Sequence, residues 1–370
     1  MGFSLKNITA IVGGQWQGEN PDASIDNVSI DSRSLQNGGN TLFFALSGPN
    51  NDAHKYIPEL VSKGVSAFIV TKIPSGINAN FIKVDDTLTA LQTFAGYHRN
   101  EFDFPVIGIT GSNGKTIVKE WLNFLLSPDF NIIRSPKSYN SQVGVALSVL
   151  GINQQHNLGI FEAGISLPGE MAKLEPMIKP TIGVLTNIGS AHDEGFGSQD
   201  EKVSEKLRLF SNAKIVICKK DLRIEKYLDS QVFSWSYDDK SADVFISKNT
   251  QQHRTYLNIE YRDLFLTVEI PFTDSASVEN AVSCLMVLLY LNYDDQTIRE
   301  RMSQLFPVEM RLKVKNGTHN STIIDDSYSS DFQSLKIALD FLESQKHHGR
   351  KTVILSDIYQ SGLSHQELYE

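Results

Sequence analysis

An α/β protein with a mostly parallel sheet in its central part is what this sequence predicts, on three observations. Continuous apolar runs recur after position 105, at "VIGIT", "NIIRS", "LGIFEAG", "IGVLTNIG" and "AKIVICK". Helical stretches separate most of them. The first run opens directly into a glycine turn and an amphipathic segment, "GSNGKTIVKEWLNFLL". Strands that are apolar on both faces and joined by crossovers belong in a sheet covered on both sides.

Taken in order, the first hundred residues give short strands at "TLFFAL", "SAFIV" and "FIKV" and one good helix over 56–63. "EFDFP" at 101–105 is a linker into the next unit. The parallel strands follow. The helix after the glycine turn carries Ile117, Val118, Trp121, Leu122 and Leu125 on one face, at helical spacing. "DVFISK", "RTYLNIEY" and "LFLTVEIPF" alternate in polarity, as hairpin strands do. A long helix over 277–291 comes next. After Phe306 a further unit begins, with a strand at "STIIDDSY", a helix at "SLKIALDFLESQK" and a second strand at "KTVILSD". Two strands are too few for a doubly wound domain, so the sequence predicts a fragment of a longer protein. The expected domains are 1–103, 104–306 and 307–370.

The chain has 370 residues, of which 41% are hydrophobic and 21% charged, as in ordinary globular proteins of two or three domains. That length buries a large core without disulfides. A net charge of −9 argues against a nucleic-acid partner or an anionic membrane surface, and leaves room for local basic pockets. Cys218 and Cys284 lie in apolar runs and read as buried, reduced thiols. No secretory signal is visible, the longest apolar run is too short to span a bilayer, and Lys6 stands where a myristoylation signal needs Ser or Thr. A cytoplasmic monomer without membrane insertion is expected.

The chemistry centres on 108–122, "GITGSNGKTIVKEWL". The standard phosphate loop needs a glycine where Ile109 stands, so the strict pattern fails. The context of strand, glycine turn and helix N-terminus still makes an anion site, because backbone N–H groups and the helix dipole face the ligand. Gly111, Ser112, Asn113 and Gly114 form the turn, Lys115 neutralises phosphate charge, and the Thr116 hydroxyl is suited to Mg²⁺. The alternative is a glycine turn with a solvated lysine. Glu162 ends a buried strand, where ligands bind in open α/β sheets, and its carboxylate can complete an Mg²⁺ shell. His192 follows the next strand as a second candidate.

"TGSNGKT" resembles the loop of the Mur ligase family, ATP-dependent ligases of bacterial cell-wall precursors, and the resemblance runs in order over nearly all of the chain. "SIDSRSLQNGGNTLFFALSG" and "NDAHKYIPELVSKGVSAFIV" resemble a uridine-nucleotide-binding N-terminal domain, matching at Ser32, Arg33, Asp52 and His54 with Ala53 for a glycine. "SYNSQVGVALSVL" is similar to a substrate-binding stretch at Asn140 and Gly144, with Ser141 for an asparagine. "FEAGIS" and "LTNIGSAHDEGFGS" resemble the segments that bring Glu162 and His192 to metal and phosphate. "SEKLRLF" resembles the segment whose lysine, here Lys206, is carbamylated and reaches a second Mg²⁺. On a wheel of about 100° per residue Lys206 flanks the stripe of Leu207 and Phe210, away from Glu205 and Arg208. Asn280 matches an asparagine near adenine, and Arg311 an ATP-contacting arginine.

"IIDDSYSSD" is similar to a motif of the members that add D-alanyl-D-alanine. It matches through Tyr328, including the ATP-site Asp326, and departs at Ser329, Asp331 and Phe332. The resemblance implies a three-domain architecture with a Rossmann-like third domain, ATP and Mg²⁺ as cofactors, and UDP-N-acetylmuramoyl-tripeptide and D-alanyl-D-alanine as substrates. Left open are a member that adds the third amino acid to the dipeptide, a kinase that stops at phosphoryl transfer, a non-catalytic nucleotide-binding module, and a fused alanine racemase beyond residue 370.

Overall fold

The computed structural model describes residues 2–35, 38–48, 51–189, 195–228, 230–308, 313–318, 321–325, 335, 338–339, 341–343 and 350–355. The chain forms two compact units. One comprises Met1–Phe104, Tyr139–His156 and Pro176–Ile178; the other comprises Pro105–Ser138, Asn157–Glu175 and Lys179–Glu370.

The first unit holds a five-stranded sheet of β1 (Gln15–Gln17), β2 (Asn27–Ser29), β3 (Thr41–Phe44), β4 (Ala67–Val70) and β5 (Asn80–Lys83), in the order β1-β5-β4-β3-β2. Only the β1–β5 pair is antiparallel. Phe43, Phe68 and Phe81 form its core with Ile57 and Leu60 from the helix Ile57–Ser62.

One helix was expected in the first hundred residues; the structure has α-helices at Leu5–Val12, Ile57–Ser62 and Thr87–Asn100. The two additional ones are set by their ends. Ser4 Oγ accepts from Asn7 N at 3.2 Å, and Gly13 closes the first helix at φ 63°. Asp86 caps the other, accepting from Thr89 N at 2.6 Å. The latter's buried face mixes Leu91 and Phe94 with His98 and Arg99, whose side chains bond the carbonyls of Ile152 (2.9 Å) and Ile178 (3.1 Å). Buried polar residues of this kind blur the apolar stripe.

The second unit holds nine strands: β6 (Val106–Thr110), β7 (Ile132–Arg134), β8 (Leu158–Glu162), β9 (Ile182–Leu185), β10 (Ile215–Lys219), β11 (Gln231–Ser236), β12 (Val244–Gln251), β13 (Arg254–Tyr261) and β14 (Leu264–Ile270). Their order is β7-β8-β6-β9-β10-β11-β12-β13-β14. All pairs from β7 to β12 are parallel, and β12–β13–β14 is an antiparallel meander. All five residues of β6 are buried, as a strand covered on both faces requires. The helices Lys115–Leu126 and Ser275–Tyr290 bury Val118, Trp121, Leu122, Leu125, Leu285 and Leu288 in this core. Each such side chain stabilises the fold by roughly 1.5–3 kcal/mol. The second helix starts before position 277 because Asp274 caps it, accepting from Ser277 N at 2.8 Å.

β6 is the first strand of this sheet in the chain, yet it lies in its interior. Later strands go to β8 on one side and β9 on the other. Such a switch point opens a crevice at the carboxyl ends of the strands.

Beyond the nine strands, β15 (Lys313–Asn316) pairs antiparallel with β16 (Thr322–Asp325). The expected strand at "STIIDDSY" is therefore present as a hairpin arm. Residues 351–355 of "KTVILSD" carry no strand. Most of "SLKIALDFLESQK" lies outside the described residues.

Candidate active site

The switch point brings three segments together: the turn after β6, the end of β8 and the loop after β9. The turn has Gly111 at φ 144° and Gly114 at φ 84°. Both positions need glycine twice over, for backbone angle and for space. A Cβ on Gly111 would strike Thr186 Oγ1 and the backbone of Asn187; one on Gly114 would strike the Asn280 carboxamide. Asn280, read from the sequence as an adenine neighbour, thus packs against the turn itself.

Asn187 braces the turn from the β9 side. Its carbonyl accepts from Ser112 N at 2.9 Å, and its side-chain Oδ1 accepts from Asn113 N at 2.9 Å. Ser112 Oγ accepts from Gly189 N at 2.9 Å. Lys115 Nζ donates to the carbonyls of Gly111 (2.9 Å) and Ser112 (3.0 Å), which holds its charge over the turn.

Thr116 and Glu162 meet beneath the turn. Thr116 Oγ1 donates to Glu162 Oε2 at 2.9 Å, and Glu162 is fully buried at the end of β8. A hydroxyl and a carboxylate are the hard oxygen donors that Mg²⁺ takes. Among the described residues there is no cluster of three or more His, Cys, Asp or Glu side chains able to hold a metal. These two donors fit Mg²⁺, which usually takes one or two protein oxygens together with phosphate oxygens and water.

Lys206 lies in the last turn of the helix Gln199–Leu207, which Ser198 caps by accepting from Glu201 N at 3.1 Å. Its side chain is 1% exposed, and Nζ donates to Gly111 O at 3.3 Å. Lysine 206 therefore reaches the same carbonyl as Lys115. Glu205 corrects the helical-wheel reading, which placed it on the solvent side: it is buried, accepts from Met171 N at 3.1 Å and pairs with Arg208 at 3.0 Å. Lys202, Val203, Glu205, Lys206 and Leu207 are all buried, so this end of the helix is covered on more than one side and a wheel with a single buried stripe misplaces Glu205. His192, Arg311 and Asp326 lie outside the described residues.

Sequence reasoning missed Asn187, Lys119 and Lys202. Lys119 and Lys202 are 0% exposed. Lys119 Nζ lies 3.3 Å from Glu162 Oε1, and Lys202 donates to Gly189 O. Lysines three residues after Thr116 and four before Lys206 share their helix faces, and that spacing was the available signal.

In the first unit, Ser32 is buried and its carbonyl accepts from Lys63 Nζ at 3.2 Å. The exposed Arg33 guanidinium forks onto Asp31 with two 2.9 Å bonds and holds that carboxyl down at about 2. His54 Nε2 accepts from Thr71 N at 3.0 Å, so Nδ1 carries the proton toward Asp52 Oδ1 at 2.6 Å. Hydrogen bonds from His54, led by its backbone N–H, hold Asp52 at about 2. Ser141 caps the helix Gln142–Leu150, accepting from Gly144 N at 3.3 Å, and Asn140 precedes it half-buried. Burial pushes the Cys218 thiol up to about 12 and raises that of Cys284 as well, so both are inert as nucleophiles.

A family model described as the Mur ligase middle domain matches residues 109–288. A Rickettsia prowazekii (strain Madrid E) protein named UDP-N-acetylmuramoyl-tripeptide–D-alanyl-D-alanine ligase is 30% identical over 355 residues, covering 93% of this chain and 78% of that protein. A crystal structure of MurF from Acinetobacter baumannii superposes with a TM-score of 0.84 at 24% identity, covering 93% of this chain and 77% of that one. A MurF ligase from Thermotoga maritima in complex with ADP gives a TM-score of 0.74 at 23% identity, covering 86% and 74%. Among the described residues no helix is long and apolar enough to cross a membrane. With the glycine turn, Thr116 and Glu162 assembled at the switch point of such a sheet, and with that relative covered over three quarters of its length, the chain belongs to the Mur ligase family.

Proposed function

We propose that this protein joins D-alanyl-D-alanine to UDP-N-acetylmuramoyl-tripeptide in an ATP-dependent, ADP-forming amide ligation. Phosphoryl transfer rests on the Thr116–Glu162 pair lying beneath a turn whose shape admits only glycine at positions 111 and 114, and the choice of substrates rests on the names of the relatives the chain matches. The chemical problem is that a carboxylate repels an amine and has no good leaving group. ATP supplies the phosphoryl group that converts the peptide carboxylate to an acyl phosphate. The amine of the dipeptide then forms the C–N bond, the C–O bond to phosphate breaks, and inorganic phosphate leaves.

The protein's part is positioning and charge neutralisation. Backbone N–H groups of Gly114 to Thr116 cradle the polyphosphate, on a turn whose Ser112 and Asn113 N–H groups are held by Asn187, and Lys115 balances its charge. Thr116 and Glu162 would hold Mg²⁺, with His192 as a further ligand, and the ion would neutralise phosphate charge. Asn280, Arg311 and Asp326 contact the nucleotide. Lys206 adds CO₂ to its amine, losing a proton, and would then be a carboxylate-bearing ligand for a second Mg²⁺. Ser32 and Arg33 bind the uridine nucleotide, and Asn140 and Ser141 the peptide end. The domains are assigned to 1–103, 104–306 and 307–370, in a monomer working in the cytoplasm.

ADP release is the test. It should require both the UDP-tripeptide and D-alanyl-D-alanine. Release with the UDP-tripeptide alone would indicate a kinase. Release with UDP-dipeptide and a free amino acid would indicate the member that adds the third residue. No release in any mixture would leave a nucleotide-binding module.

A further inference from the structure

We propose that Lys119 is a positioning residue for the metal carboxylate, an inference that rests on Glu162 being a magnesium ligand. Its ammonium fixes the orientation of Glu162 and ties that side chain to the backbone at 135–137.

Lys119 lies one turn beyond Thr116 on the helix Lys115–Leu126 and is 0% exposed. A buried ammonium is unfavourable unless its charge is balanced and its N–H groups are accepted. Both conditions are met. Nζ donates to Ser135 O at 2.7 Å and to Lys137 O, and it lies 3.3 Å from Glu162 Oε1. Glu120 Oε1 is 3.2 Å away, and the other oxygen of Glu120 is engaged by Arg134 at 3.0 Å.

Glu162 is equally buried, and its second oxygen accepts from Thr116 at 2.9 Å. The carboxylate is thus held at both oxygens, Oε1 by a cation anchored on two carbonyls and Oε2 by the hydroxyl that shares the metal with it. One buried positive charge matches one buried negative charge. The anchoring backbone runs in sequence into Asn140 and Ser141, the residues assigned to the acceptor peptide. A methionine would fill the same volume, but it would leave Glu162 held at Oε2 alone, with Oε1 unanchored and its charge unmatched.

The test is Mn²⁺ binding to the ADP-saturated protein, read from the free-manganese electron paramagnetic resonance signal. The wild type, Lys119→Met, Glu162→Gln and the double variant are compared. Glu162→Gln should weaken Mn²⁺ binding at least tenfold, and Lys119→Met by a similar factor. The double variant should bind no more weakly than Glu162→Gln, because Lys119 acts through that carboxylate. Mn²⁺ binding to Lys119→Met that equals or exceeds wild type, with Glu162→Gln impaired, would overturn the positioning role and leave the metal site standing. So would additive losses in the double variant. Unchanged binding in Glu162→Gln would overturn the metal site itself. If Lys119→Met does not fold, Lys119→Gln is read in the same way. Failure of both to fold, with Glu162→Gln folded, would make Lys119 a purely structural residue and also overturn the proposal.

Discussion

Replacing Gly114 by alanine should damage the turn through two separable costs. At φ 84° an L-residue is strained, at about 1–2 kcal/mol. The added Cβ also meets the Asn280 carboxamide, an overpacking cost of about 1–3 kcal/mol. The sum is about 2–5 kcal/mol of unfolding free energy, measured by urea denaturation. The two parts come apart in a double-mutant cycle, because Asn280→Ala removes the atoms that the Cβ strikes and leaves the backbone angle unchanged. In the Asn280→Ala background, Gly114→Ala should therefore cost only the backbone part. An equal cost in both backgrounds would show that Asn280 does not pack on the turn. A cost near zero in the wild-type background would refute the left-handed geometry.

Three further outcomes follow from the site. Lys115→Ala should abolish ligation with its unfolding midpoint unchanged, and wild-type turnover in that variant would remove Lys115 from the phosphate site. Lys206→Ala should lose activity and partly regain it with added short carboxylic acids; full activity without them would mean that Lys206 carries no carbamate. Asp52 has its pKa lowered from 3.8 to about 2 by the His54 hydrogen bonds, so its contribution to stability is present above about pH 4 and is lost as pH falls towards 2. Asp52→Asn should flatten the acid limb of the stability profile in that window, and an unchanged limb would show that the contact contributes nothing.

The parallel sheet was legible because strands buried on both faces leave unbroken apolar runs, as all of β6 does. The turn was legible despite Ile109, since strand, glycine turn and helix are contiguous in sequence. Its braces were not. Asn187 and Asn280 reach the turn from segments distant in sequence, and no local pattern announces which side chain crosses such a gap. The helix at 87–100 was missed because its buried face mixes Leu91 and Phe94 with His98 and Arg99, whereas the helix at 5–12 carries a short apolar stripe with Leu5 and Ile8 that was passed over. Lys119 and Lys202 were passed over because a lysine in an amphipathic helix is read as solvated, whereas here each lies fully buried among carbonyl oxygens and, for Lys119, carboxylates.

In the proposed ligation the peptide carboxylate is phosphorylated before the amine attacks. Tripeptide acceptor labelled with ¹⁸O in that carboxylate, turned over with ATP and D-alanyl-D-alanine, tests it most directly through mass analysis of the phosphate released. One labelled oxygen should appear in inorganic phosphate for each amide formed, because the C–O bond that breaks leaves its oxygen on phosphorus. Amide formation with unlabelled phosphate would rule out an acyl phosphate.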